Sequence, residues 1–459
     1  MLSVCTHPRR SAGVFGTFGW RMFNSAERAG ASCTFYRSSP SRGARFLGRF
    51  AWTVQMERVR ARLVMSAPRE FSSRLPRIVM IDAALRENGG TRVLIDLAAR
   101  WVRAGAPTEY FVMQKIAEEA PDLVALARDR VPVVYGCDTP GRLRNALPKV
   151  FMRFWRAARR ADVVVCVSED GMNLLVGAAV AKLLRKPFVV VIHAPVRKAA
   201  DDWMPRRLHG AMFASHRSAA ALVCVADGCI EDLIAVGVDR SRIHVIRNGI
   251  DVERIQRAAA AEIDPPLPAR VERPLVVAVG RLCAQKGFDL LLRAHAQVVK
   301  QGLAHHLAVI GEGPDRPQLE ALISELGIAS SVWLLGFRPN PHAVVARSDL
   351  FCLSSRYEGY PLVLIEALAT GTAIVSGNCV TGPADILADG AYGDLVEANS
   401  VDALAAGIAR HLRDRSRLAA IAQKGPAHAR SFDPEHAAAE YMQVFSRVGR
   451  PQTAAELAA

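Results

Sequence analysis

The chain has 459 residues, enough for two domains rather than one core. Its composition, 51% hydrophobic and 22% charged, excludes a disordered or fibrous protein. The net charge of +15 is uneven: residues 1–76 hold thirteen Arg, no Lys and three acids (Glu27, Glu57, Glu70), so the basicity does not argue for a nucleic-acid partner of the remainder.

We read residues 1–76 as a basic, disordered extension, or as sequence upstream of a start at Met56 or Met65. Their Arg- and Ser-rich, acid-poor character is also that of an organelle transit peptide. The nine cysteines are scattered, form no C-x-x-C pair and fall mostly in apolar runs, as expected of reduced core residues. No stretch of 18 consecutive apolar residues occurs, so no membrane span is predicted.

From Arg77 the chain alternates. Residues 77–82 form an apolar strand, Asn88-Gly89-Gly90 a turn, and residues 91–102 a helix with Val93, Leu94, Leu97, Ala98 and Trp101 on one face. Further strands are predicted at 109–113, 131–134, 162–167, 188–192, 221–225 and 243–246, with helical stretches between them. Such alternation implies a parallel sheet covered on both faces. Residues 251–273 break the rhythm, and Asp264-Pro-Pro-Leu-Pro268 suits neither a helix interior nor a central strand. The alternation then resumes. Strands are predicted at 275–279, 306–310, 332–335, 349–353, 373–376 and 394–396, with helices at 287–299, 317–326, 361–370 and 401–413 and a last helix over 432–447. The expected fold is α/β, with two facing Rossmann-like, doubly wound domains. The expected organisation is a first domain at 77–262, a linker at 263–273, a second domain at 274–431, and a crossing helix and tail at 432–459. Ligands bind such folds outside the carboxyl ends of the strands.

Four segments carry candidate chemistry. The strand ending at Gly280 runs into Arg281 and, five residues on, Lys286-Gly287 at a helix start. Two cations and a helix N-terminus suit a diphosphate, or are two surface cations. Ser354 to Pro361 carries Glu358 in a loop, and the following helix carries Glu366 among Leu364, Ile365, Ala367 and Leu368. An acid there needs a partner, either a diol such as ribose or an Arg. Gly311-Glu-Gly313-Pro314 and Ser376 to Pro383 follow strands, and their glycines allow close backbone approach.

In this order and spacing, the motifs around Gly280, Arg281, Lys286, Gly311, Gly313, Glu358, Gly359, Pro361 and Glu366 resemble the retaining GT-B glycosyltransferases of the group 1 and family 4 type. Glu358 and Glu366 match the family's Glu-(x)7-Glu motif. Upstream, Asn248-Gly249-Ile250-Asp251, the Gly89-Gly90 loop and His193 after the strand 188–192 agree with it. Thr381-Gly382-Pro383 resembles a polysaccharide- or lipopolysaccharide-type branch, with two departures: Asp385 stands for the usual Glu, and Gly377-Asn378 for an Asp.

The resemblance implies an enzyme that moves a hexosyl or N-acetylhexosaminyl group from a nucleotide sugar, such as a UDP-sugar, to a glycan or lipid-linked acceptor with retention. Arg281 and Lys286 would neutralise the leaving diphosphate. Glu358 and His193 would hold the transferred sugar, and Glu366 the ribose. Gly89, Gly90, Gly280, Gly311, Gly313, Gly359, Tyr360, Pro361 and Leu362 would line the donor site. No glycosidase-type pair of carboxylates is evident, so a front-face, dissociative transfer is expected, in which the leaving phosphate helps deprotonate the acceptor. No cofactor or metal is expected.

Seven cations without an acid lie at 142–160 (Arg142, Arg144, Lys149, Arg153, Arg156, Arg159, Arg160), with Phe151, Phe154 and Trp155 interleaved. They fit either peripheral contact with the cytoplasmic face of an anionic membrane or a solvated helix with its aromatics in the core. The chain is expected to be cytoplasmic. Rival readings are a nucleotide-sugar epimerase or hydrolase of the same fold and a non-catalytic nucleotide-sugar-binding protein. A nicotinamide dehydrogenase lacks support, because no G-x-G-x-x-G opens the first unit.

Overall fold

The computed structural model describes residues 74–85, 89–116, 130–139, 143–169, 171–268 and 274–449, together with residue 124, all in one compact unit. The expectations for residues 1–73, Asn88, Arg142, 269–273 and the tail 450–459 fall outside the described residues, and for Arg144 only the backbone is described.

Two wholly parallel sheets form. The first has seven strands: β1 (Ile78–Asp82), β2 (Thr108–Gln114), β3 (Val133–Cys137), β4 (Val163–Cys166), β5 (Phe188–Ile192), β6 (Ala221–Cys224) and β7 (Ile243–Val245), in the order β3-β2-β1-β4-β5-β6-β7. The second has six: β8 (Leu275–Val279), β9 (His306–Ile310), β10 (Val332–Leu334), β11 (Leu350–Leu353), β12 (Ile374–Asn378) and β13 (Asp394–Glu397), in the order β10-β9-β8-β11-β12-β13. Most of the strands are short and rich in Val, Ile and Leu. Those of β1, β4, β5 and β6 are buried at every position, as both covered faces require. The strand order reverses direction between β1 and β4 and again between β8 and β11. These are the two switch points beside which ligand crevices open.

Two helices bind the halves together. Residues 252–260, where the sequence suggested irregular chain, form the helix Val252–Ala260, capped by the Asp251 carboxylate accepting from Arg254 N at 2.8 Å. Its carbonyls at Ala258 and Ala259 accept from Asn340 Nδ2 (2.7 Å) and Arg347 Nη1 (2.9 Å), so it packs on the second half, although it precedes the expected linker. The last helix, Pro434–Val448, returns to the first half. There Trp101 donates its indole N–H to Ala438 O at 3.0 Å and lies edge-on to Phe445, with ring centres 5.1 Å apart. Among the described residues no helix is long and apolar enough to cross a membrane.

Candidate active site

The second half contributes the charged side. β8 runs into Gly280 and Arg281, a 3-10 turn spans Ala284–Lys286, and the helix Phe288–Lys300 follows. Lys286 Nζ donates to Glu358 Oε1 at 2.7 Å, and Ser355 Oγ donates to the same oxygen at 2.5 Å. Two residues expected to have separate tasks are thus one ion pair. The Glu358 side chain is only 6% exposed and that of Lys286 22%. A Lys ammonium has three N–H groups, so this bond leaves two for a ligand. Ser354 Oγ donates to Lys286 O at 2.9 Å, and the Thr381 hydroxyl donates to Glu358 O, which fixes both partners from neighbouring loops. Arg281 is exposed, and its guanidinium carbon lies 5.6 Å from the centre of the Trp203 ring on the other half.

Glu366, in the helix Leu362–Thr370, is half-buried rather than enclosed, because it falls at the margin of the apolar stripe. It lies near His342, with Nδ1 3.8 Å from Oε2. Three donor-site expectations change character. The Tyr360 side chain turns into the core against Phe432, so only its backbone is left to face a ligand. Gly311 has φ +141°, and a Cβ there would lie 2.0 Å from Gly280 O. A Cβ at Gly313 would lie 2.2 Å from Leu282 O. Both glycines are required by backbone packed on backbone within the protein, which accounts for them without a ligand.

The first half contributes His193, which follows β5. Its backbone N–H donates to Glu169 Oε2 at 3.0 Å, and its ring Nε2 lies 2.9 Å from Val167 O. Gly89 and Gly90 form the first turn of the helix Gly89–Arg103 instead of a turn before it. A Cβ at Gly90 would meet the His193 ring at 3.1 Å, and one at Gly89 would meet Leu362 Cδ1 at 3.3 Å. A Cβ at Gly359 would lie 1.4 Å from His193 O. Gly89, Gly90, His193, Gly359 and Leu362 therefore meet where the two halves touch, beside the Lys286–Glu358 pair.

Several residues here were missed from sequence. Glu169 is a buried acid two residues beyond the apolar run that becomes β4, and its place was the available signal. Trp203 and Asp202, which accepts a hydrogen bond from the Tyr357 hydroxyl, gave none. Trp203, Asp202 and Tyr357 line a cavity of about 800 Å³ between the halves, together with Arg197, Lys198 and Thr381. Asp385, one of the two departures from the motif, is engaged by Arg247: Nε donates to it at 2.6 Å while Nη2 donates to Asp227 at 2.8 Å. Among the described residues no group of three His, Cys, Asp or Glu side chains is placed to hold a metal ion.

The basic helix Leu143–Arg160 sends Phe154 into the core and half-buries Phe151 and Trp155, so its aromatics are packing residues. Arg153 is also engaged, donating to Tyr135 O at 2.9 Å and to Asp138 at 3.0 Å. Lys149, Met152, Arg156, Arg159 and Arg160 are exposed.

Residues 87–254 match the family described as Glycosyltransferase Family 4, and residues 260–428 match Glycosyl transferases group 1. With the two-sheet fold, these two matched segments give the chain the two-domain GT-B architecture. Over 207 residues it is 32% identical to the N-acetylgalactosamine-N,N'-diacetylbacillosaminyl-diphospho-undecaprenol 4-alpha-N-acetylgalactosaminyltransferase of Campylobacter jejuni, covering 45% of this chain and 54% of that protein. Over 209 residues it is 30% identical to the lipopolysaccharide core biosynthesis glycosyltransferase LpsE of Rhizobium meliloti, covering 46% and 58%. The chain thus spans about half the length of the curated relatives it matches. The fold is shared with Anabaena Alr3699/HepE, solved in complex with UDP-glucose, at a TM-score of 0.67 and 20% identity over 81% of this chain and all of that one.

Proposed function

We propose that the chain is a glycosyltransferase that moves a hexosyl or N-acetylhexosaminyl group from a nucleotide sugar to a glycan or lipid-linked acceptor, with retention, in surface polysaccharide or glycolipid synthesis. The observation that carries the proposal is the meeting of the Lys286–Glu358 pair with His193 and Gly359 at the carboxyl ends of both sheets. Arg281 and Lys286 supply fixed positive charge where the diphosphate departs. Glu358, held by Lys286 and Ser355, accepts hydrogen bonds from hydroxyls of the donor sugar, with His193 opposite. Glu366 takes the ribose, and the backbone at 359–362 contacts the sugar. The leaving phosphate deprotonates the acceptor, and the donor site works without a metal. UDP-sugars are the first donors to test, because a relative named as an N-acetylgalactosaminyltransferase and a UDP-glucose-bound protein of the same fold support that class.

The cavity lined by Trp203 and Tyr357 lies beside this site and takes the acceptor. The exposed cations of the helix Leu143–Arg160 contact the cytoplasmic face of an anionic membrane. Incubation with a UDP-sugar panel and polyprenyl-diphosphate-linked sugars, with NMR of the product, tests donor, acceptor and anomeric outcome together. Turnover of the donor without any glycosylated product, or an inverted product, rejects the proposal. Full activity in a chelator is expected, and restoration by manganese of activity lost there counts against metal independence. Flotation with anionic liposomes should fall for the double variant Arg156→Glu and Arg159→Glu; unchanged flotation rejects membrane contact.

A further inference from the structure

Glu169 is a buried acid, 7% exposed, in the loop that follows β4 at the switch point of the first sheet. Its carboxylate forms no ion pair with a described cation. Instead Oε2 accepts from His193 N at 3.0 Å, and the backbone N–H groups of Glu169 itself and Ala194 also favour its ionised form. Enclosing a carboxylate among neutral donors is costly. The same loop also holds the His193 ring through Val167 O, so the backbone and the ring of one residue are gripped by residues 167–169. The carbonyl of His193 in turn is the surface on which Gly359 closes, next to Glu358.

We propose that Glu169 is a positioning residue whose carboxylate holds the His193 backbone, and with it the seat of Gly359, in the arrangement that sugar transfer requires. This rests on the proposed transferase activity and goes beyond it, by assigning a residue that touches neither substrate.

The groups around Glu169 are His193 on the β5 loop, His216 on the helix Arg206–Ser218, Cys224 at the end of β6, and Cys229 and Asp232 beyond it. Burial lowers His216 to about 4 and pushes Cys224 up to about 12, with Cys229 raised further. Asp232 is paired with Arg197 at 2.5 Å. Glu169 itself, which burial raises to about 7, titrates near neutrality. Above that pH the carboxylate accepts from the backbone. Below it, the protonated acid gives up acceptor capacity and the hold on His193 loosens.

The test is Glu169→Gln, read by kcat, by nucleoside diphosphate affinity and by the pH profile. Loss of a charge-assisted hydrogen bond should lower kcat about tenfold. UDP affinity should be unchanged, because the diphosphate cations lie on the other half. The ionisation near pH 7 should vanish from the profile. A kcat within twofold of the parent overturns the proposal. So does a loss shared equally by UDP affinity and thermal stability, or an ionisation that persists and so belongs to another group. The backbone amide resonance of His193 in 15N-histidine-labelled protein is independent of turnover. It should shift with a midpoint near pH 7 in the parent and stay constant in Glu169→Gln; a constant resonance in the parent overturns the proposal even if the transferase reading itself has failed.

Discussion

Substitution of Gly359 by Ala puts the contact between the halves under direct test. The added Cβ would lie 1.4 Å from the His193 carbonyl oxygen. Ordinary contact needs about 3.5 Å, so the two segments must separate by about 2 Å. Both groups are backbone, so no side-chain rotation absorbs the displacement. A misplacement of about 1 Å can cost about a hundredfold in rate, so kcat should fall at least that far. The three apolar clusters do not include Gly359 or His193, so the fold should survive and the thermal midpoint should move little. Steady-state transfer from the best donor in the panel, with a melting curve on the same preparation, is the assay. A Gly359→Ala variant with kcat within threefold of the parent would refute the reasoning, as would a structure of the variant with the approach to His193 intact.

Three further outcomes follow from the geometry. Glu358→Gln leaves Lys286, 22% exposed, without its anion, and breaking such a largely buried pair should cost about 3 kcal/mol in urea unfolding. Adding Lys286→Met to it should recover part of that stability but no activity, and full additivity of the two would deny the pairing. Phe445→Ala in the returning helix removes the edge contact with Trp101 and should cost about 3–5 kcal/mol, measured by denaturant midpoint; a cost below about 1 kcal/mol would show that the returning helix is not anchored there. Acid should weaken the fold. Burial lowers His216 to about 4 and His295 to about 3, and also lowers His244, His305, His342 and His411. These groups are neutral in the fold but take up protons at about 6.5 when unfolded, so their contribution is complete above that pH and is lost as pH falls through it. Glu169, raised to about 7, and Asp82 and Glu109, also raised by burial, act oppositely, gaining stability as pH falls, but they are three groups against six. The urea midpoint should therefore drop between pH 7.5 and pH 5, and a constant or rising midpoint would contradict the assignment.

Much of this was legible in the sequence because the signals are local. A parallel strand buried on both faces must be a short apolar run, so β5, β8 and β9 were predicted at the residues they occupy. Pro and Gly mark the ends of the helix Leu362–Thr370, and the cations at Arg281 and Lys286 stand at the end of β8 by spacing alone. What the sequence did not show depends on residues far apart in the chain. The helix Val252–Ala260 was hidden by the prolines after it, and its place on the second half is decided by the carbonyls it offers to Asn340 and Arg347. The glycines at 311 and 313 were legible as glycines, but only the packing shows that their lack of a Cβ makes room for Gly280 and Leu282. The pairing of Lys286 with Glu358 spans 72 positions, and the hold of Glu169 on His193 spans 24. Pattern along the chain reports which face of an element is buried. The partner of a buried charge is set by which strand ends the two sheets bring together, and that is a property of the tertiary fold alone.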